Sequence, residues 1–181
     1  MRLSEVKKMI REIPDWPKPG VLFKDITPIL KDRNAFKLVI DKMAKKFKKM
    51  KIDKVASAES RGFILGATLA YKLKAGFVPL RKPGKLPYNT IKEEYSLEYG
   101  KDAFEVHVDG IEKGDNVLIV DDVLATGGTM NAAVNLVKKL GGNVVGIALL
   151  IELENLGGRK KIMSENGIKD DEIYALLKFK K

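Results

Sequence analysis

The run VLIVDDVLATGGT, from Val117 to Thr129, combines residue types that can hold an anion and a polyol side by side. An apolar strand, expected over Val117 to Val120, ends in two adjacent carboxylates, Asp121 and Asp122. A short loop of small residues, beginning at Ala125, leads from them into a helix. Gly127 and Gly128 let backbone amides approach an anion closely, because no Cβ stands in the way. The hydroxyls of Thr126 and Thr129 add donors, and the start of the helix offers unpaired N–H groups and the positive end of its dipole. These features describe a phosphate cradle. The paired carboxylates suit ribose hydroxyls or, through water, a magnesium ion, so the whole run describes a sugar phosphate better than a bare nucleotide. A Walker-type loop is excluded. Neither Gly84-Lys85 nor Gly100-Lys101 is followed by Ser or Thr, and no Gly-x-Gly-x-x-Gly follows a candidate strand.

The chain that must position this run has 181 residues, the length of one domain, and no linker or repeat divides it. Residues 1–181 are therefore expected as a single domain. With 45% hydrophobic and 32% charged residues, a core beneath a densely charged surface is expected. The absence of cysteine and the presence of one histidine exclude a disulfide framework, a thiolate metal site and a cysteine nucleophile, and leave only hard, oxygen-liganded metals. The net charge of +10 permits an anionic partner. However, Lys42, Lys45, Lys46, Lys48, Lys49 and Lys51 lie opposite a helical face of Phe36, Val39, Ile40, Met43, Phe47 and Met50, which reads as solvated surface. No nucleic-acid partner is expected. The amino terminus has no apolar stretch long enough for a secretory signal, and no run approaches the roughly 20 apolar residues of a membrane span, so a cytoplasmic protein is expected.

The opening helix should end before Pro14, and Pro14 to Pro28 should be extended and irregular. A helix follows from about Ala35 to Met50, capped by Asp32 or Asn34. Strands are expected over Ile52 to Ala58, Gly76 to Leu80 and Val144 to Ile151, with helices over Phe63 to Leu73 and Thr129 to Leu140. Ser96 to Val108 reads as an inserted hairpin or lid, and Ile173 to Phe179 as a closing strand. Apolar strands alternating with helices imply a parallel sheet covered on both faces, whose ligands bind at the carboxyl ends of the strands. The Asp121-Asp122 pair stands at such an end.

This run closely resembles the 5-phosphoribosyl-1-pyrophosphate (PRPP) signature of the type I phosphoribosyltransferases. Four other segments resemble the adenine-using branch of that family: PGVLFKDITPIL (Pro19 to Leu30), SRGFILG (Ser60 to Gly66), LRKPGKLP (Leu80 to Pro87) and YSLEYG (Tyr95 to Gly100). The resemblance implies an α/β type I phosphoribosyltransferase fold: a central, mostly parallel sheet flanked by helices, with a small hood at about 1–33, a core at about 34–181 and a flexible lid hairpin. It implies a glycosyltransferase of purine salvage that joins adenine to PRPP, giving AMP and pyrophosphate. Alternatives are another purine (hypoxanthine, guanine or xanthine) as acceptor, or a PRPP-sensing regulator that binds nucleic acid.

The resemblance also assigns residues. Asp121 and Asp122 would hold the ribose hydroxyls, and Ala125, Thr126, Gly127, Gly128 and Thr129 the 5-phosphate. Asp122 would lie near the reacting carbon. Glu59, Ser60, Arg61 and Gly62 would form the pyrophosphate loop, with Glu59 standing where many relatives carry Asp, and Arg61 counted among the catalytic groups. Arg81, Lys82 and Lys85 would reach pyrophosphate, the Arg81 loop lying near the partner's site in a homodimer. Phe23 would stack on the purine while backbone groups of Leu22 and Lys24 read its amino edge. Glu98 would assist proton movement near N7, and Tyr99 would close with the lid. Mg²⁺ is the implied cofactor, held mainly by PRPP and water, near Asp121.

Overall fold

The computed structural model describes residues 1–97 and 100–180, with the backbone alone at 96, 97, 100 and 101. The chain divides into two units, Met1–Lys42 and Met43–Lys181. In the first, helix α1 (Leu3–Met9) leads into strand β1 (Arg11–Ile13), which pairs antiparallel with β2 (Phe23–Asp25). The proline-rich stretch is thus less irregular than its composition suggests. It contains β2, and helix α2 (Thr27–Lys31) starts before it ends, with Pro28 in the first helical turn where its missing N–H has no acceptor to lose. Asp32 Oδ1 accepts the N–H groups of Asn34 (3.0 Å) and Ala35 (2.8 Å) and so caps α3 (Arg33–Phe47), while Asn34 lies inside that helix.

The second unit is built on a five-stranded, wholly parallel sheet in the order β4-β3-β7-β8-β9. Its strands are β3 (Lys54–Ala58), β4 (Gly76–Leu80), β7 (Asn116–Leu124), β8 (Asn143–Leu153) and β9 (Ile173–Phe179). Side chains alternate between the two faces. Ala56, Ala58, Val78, Leu80, Val117, Ile119, Ile147 and Leu149 share a core with Ala133, Leu136 and Val137 of α5 (Gly128–Lys139). The intervening positions Val55, Ser57, Leu118 and Val120 are equally buried on the other face, where α4 (Arg61–Leu73) packs. Burial on both faces is why these strands read as unbroken apolar runs.

Two elements are longer than expected. β7 does not stop at Val120. Val123 and Leu124 continue the ladder against Ile151 and Glu152, so the acidic pair sits within the strand's last turn of pairing rather than beyond it. The hairpin β5 (Thr90–Leu97) and β6 (Gly100–His107) begins six residues before Ser96, because Ile91 faces Val106 and Glu93 faces Phe104 in a continuous antiparallel register. Phe104, Val106 and Tyr95 join the core beside α5. Helix α6 (Gly158–Asn166), between β8 and β9, was not anticipated. Among the described residues no helix is long and apolar enough to cross a membrane.

Candidate active site

Three adjacent strands, β4, β3 and β7, deliver their carboxyl ends to one edge of the sheet, and the charged residues gather there. Asp121 and Asp122 are both buried, and Asp122 donates its backbone N–H to Asp121 Oδ1 (2.9 Å). Burial drives the Asp121 pKa well above the ordinary carboxylate range, and the neighbouring Asp122 charge adds to it. Burial raises Asp122 as well, against the pull of Arg61. Arg61 Nε lies 2.7 Å from Asp122 Oδ2. This is an ion contact, and Oδ2 itself is a buried acceptor that receives no hydrogen bond.

The turn from β3 to α4 carries Glu59, Ser60, Arg61 and Gly62. Its Glu59–Ser60 peptide is cis. Ser60 stands at the N-cap of α4, and the Gly62 carbonyl lies 2.8 Å from the buried hydroxyl of Ser57. Glu59 gathers the cations expected for pyrophosphate. Its Oε2 accepts from Arg81 Nε (3.0 Å) and from the backbone N–H of Lys82 (2.9 Å), and its Oε1 from Lys85 Nζ (2.6 Å). Burial alone would raise the Glu59 pKa, but Lys85, the Lys82 N–H and Arg81 together hold it below its ordinary value.

Lys82 departs from expectation. Only its backbone joins this cluster. Its ammonium turns to the hairpin, donating to Tyr95 Oη (2.6 Å) and Asp102 and lying 4.7 Å from the centre of the Phe104 ring. The reason is a hairpin partner the sequence did not advertise: burial would lower the Lys82 pKa, yet Asp102 and Tyr95 raise it above the ordinary lysine value. The backbone of Arg81 is fixed to the same hairpin, exchanging hydrogen bonds with Glu105 at 2.9 and 2.7 Å.

After β7, Ala125 and Thr126 lead to Gly127, which caps α5 at φ +87°, and Gly128 and Thr129 form that helix's first turn. The glycine conformation aims the helix start back at the loop that precedes it. Among the described residues no cluster of three or more His, Cys, Asp or Glu side chains could enclose a metal. Glu98 and Tyr99 lie outside the described residues.

The phosphoribosyl transferase domain profile matches residues 25–173, most of the chain. An adenine phosphoribosyltransferase from Thermotoga petrophila is 57% identical over 160 residues, covering 88% of this chain and 94% of that protein. The chain belongs to the adenine phosphoribosyltransferase family. Within that family, the crystal structure from Thermoanaerobacter pseudethanolicus is 53% identical and superposes with a TM-score of 0.93 over 98% of this chain and 100% of its own. The Saccharomyces cerevisiae enzyme, solved with an imino-altritol bisphosphate and adenine, is 40% identical with a TM-score of 0.86, covering 96% and 97% of the two chains.

The profile begins just after the segment expected to read the base. In the first unit, Phe23 meets Trp16 edge-on, ring centres 4.3 Å apart, and Leu22 is exposed. Lys24 is buried with its ammonium on Glu12, which uses its side chain structurally. Sequence reasoning missed the contacts of Tyr95 and Asp102, whose only signal was alternation within the hairpin. It also missed Gly158 and Arg159, signalled by the Gly157-Gly158 pair that starts α6.

Proposed function

We propose that the carboxyl edge of the sheet binds PRPP and that the protein transfers its phosphoribosyl group to N9 of adenine, releasing pyrophosphate and forming AMP. The observation that carries this reading is the contact between Arg61 and Asp122. It joins a pyrophosphate-type turn on one strand to an acidic pair and phosphate loop on the next, so one PRPP molecule could be met from both.

In this reading Asp121 and Asp122 accept the two ribose hydroxyls, which gives the unbonded Asp122 Oδ2 a donor. The amides of Ala125 to Thr129 hold the 5-phosphate at the start of α5. Arg61 leaves Asp122 for the pyrophosphate, and Arg81 and Lys85 supply further positive charge as the leaving group's own charge grows. The freed Asp122 carboxylate then stabilises positive charge at the anomeric carbon while N9 attacks and the bond to pyrophosphate breaks. Glu98 takes part in the proton movement at N7, and Tyr99 closes with the hairpin, excluding water from the glycosyl cation. Leu22 and Lys24 read the amino edge through their backbones, with Phe23 against the ring. A 6-oxo purine would leave those groups unpaired.

A magnesium ion coordinated by PRPP would fit this site. Two buried carboxylates beside the phosphate loop can receive hydrated Mg²⁺, whereas a protein-only cage is not built by the described residues. Asp121 and Asp122 would hold it through water, and when bound it neutralises pyrophosphate charge. The proposal includes a homodimer, with the Arg81 loop near the partner's site, and a cytoplasmic location.

The test is a panel of purines at fixed PRPP and Mg²⁺, following pyrophosphate release. Adenine should be turned over at least 100-fold more efficiently than hypoxanthine, guanine or xanthine. Preferred use of a 6-oxo purine would overturn the assignment.

A further inference from the structure

Helix α6 lies against the phosphate loop more closely than side chains would allow. Gly158 donates its N–H to the Ala125 carbonyl (3.1 Å). A Cβ on Gly127 would stand 2.9 Å from the Gly158 carbonyl oxygen, and one on Gly158 would overlap the Ala125 carbonyl oxygen and come within 3.0 Å of the Gly127 nitrogen. Two backbones therefore touch with nothing between them. What holds α6 at this distance is the next residue.

Arg159, 16% exposed, makes a two-pronged contact with the buried Glu152: Nε to Oε1 at 2.7 Å and one terminal nitrogen to Oε2 at 2.6 Å. Its other terminal nitrogen donates to the Asp170 carbonyl (3.2 Å), Asp170 Oδ1 (3.0 Å) and the Ile173 carbonyl (3.0 Å). Glu152 pairs across the sheet with Leu124, the residue immediately before the loop. At its far end α6 is tied to α5, where Asn166 donates to Asn131 Oδ1 (2.8 Å) and Asn131 donates to Glu165. The helix is thus fixed to β8, which pairs with the strand that enters the loop, and to the helix that leaves it.

We infer that Arg159 and Gly158 are positioning residues for the 5-phosphate: Arg159 sets the place of α6, and the Gly158 backbone holds Ala125 to Gly127 in the shape that aims their amides at the ligand. Arg159 does not bind the phosphate itself, because each of its three nitrogens already donates to the protein. A lysine could supply the charge at this point but not the planar fork that meets Glu152 and the start of β9 together. This inference rests on the phosphate-loop reading above and adds the part of the fold that makes the loop rigid.

Gly158→Ala, Arg159→Lys and Arg159→Met test it, with thermal melting, KM for PRPP and for adenine, and inhibition by ribose 5-phosphate and by pyrophosphate. Arg159→Lys should raise KM for PRPP and Ki for ribose 5-phosphate about 3- to 10-fold, and Arg159→Met and Gly158→Ala at least 10-fold. KM for adenine and Ki for pyrophosphate should stay within twofold. Should Gly158→Ala or Arg159→Met fail to fold, Arg159→Lys decides alone. Equal changes for all four ligands, or a lowered melting temperature with unchanged constants, would reduce α6 to a structural element and overturn the inference. Failure of the underlying reading would appear in the unaltered protein, as inhibition by pyrophosphate but none by ribose 5-phosphate.

Discussion

Replacing Asp121 with asparagine separates what the acidic pair does for the ligand from what it costs the fold. Asp121 is 7% exposed, and its Oδ1 accepts the Asp122 N–H at 2.9 Å. Asparagine keeps that oxygen and the side-chain shape but cannot carry charge. A hydrogen bond to a charged group contributes about 1.5–3 kcal/mol, so the single variant should lose roughly 10- to 150-fold in kcat/KM for PRPP. The double variant with Asp122→Asn would, in the proposed reading, also lose the charge beside the reacting carbon and should fall by about 10²- to 10⁴-fold.

Stability should move the other way. The folded-state pKa of Asp121 is raised, first by burial and then by Asp122. A carboxyl group of this kind binds its proton more tightly in the folded state, so the free protein loses stability as pH rises from the ordinary carboxylate range up to the folded value. Asp121→Asn removes that loss. A melting temperature above the parent's is expected at neutral pH. Melting curves from acid to neutral pH, with steady-state rates on the same samples, check both halves. The difference between variant and parent should be small in acid and widen with pH. Activity near the parent's, or a variant that melts lower at neutral pH, would refute the reasoning.

Glu59→Gln should act in the opposite sense on the free protein. Lys85, the Lys82 N–H and Arg81 overcome burial to depress the Glu59 pKa, so its contribution is present above the ordinary glutamate range and fades as pH falls through the folded value. The variant should melt a few degrees lower at pH 7 and approach the parent only in acid, below the lowered folded value, as read by thermal melts. Gly66→Ala tests the packing of α4 on the sheet. The new methyl would overlap the Ser57 hydroxyl and stand 2.6 Å from its Cβ, so chemical denaturation should show a loss of about 1–3 kcal/mol, with KM for PRPP changed less than threefold.

How much of this was legible in the residues depended on how local the cause was. β4, β9 and α4 fall where short apolar runs and periodicity placed them, because their apolar residues are contiguous or regularly spaced in the sequence. The Val117 to Thr129 run was readable for the same reason: the strand, the acid pair, the loop and the helix start are contiguous. The fate of Lys82 was not, since Asp102 meets it from twenty residues away and the spacing of hairpin partners follows from a register that only the fold reveals. Arg159 was hidden in the same manner. Its partners come from two separate stretches of chain, Glu152 before the helix and Asp170 with Ile173 after it.

These contacts explain how a site so rich in charge can stand free of its ligand. The Arg61 guanidinium rests on Asp122, and Arg81 and Lys85 rest on Glu59. Each carboxylate stands where an anionic or hydroxyl group of PRPP would otherwise meet the cation. Binding then exchanges partners instead of creating ion pairs from solvated groups, which keeps the desolvation cost of entry small and the cations already near their working places. Under the proposed function Asp122 would exchange its Arg61 ion contact for a ribose hydroxyl. In the proposed reading, binding of the sugar and release of Arg61 toward pyrophosphate would be a single event, and a ligand with only one of the two halves should draw on less than its proportionate share of the site's affinity.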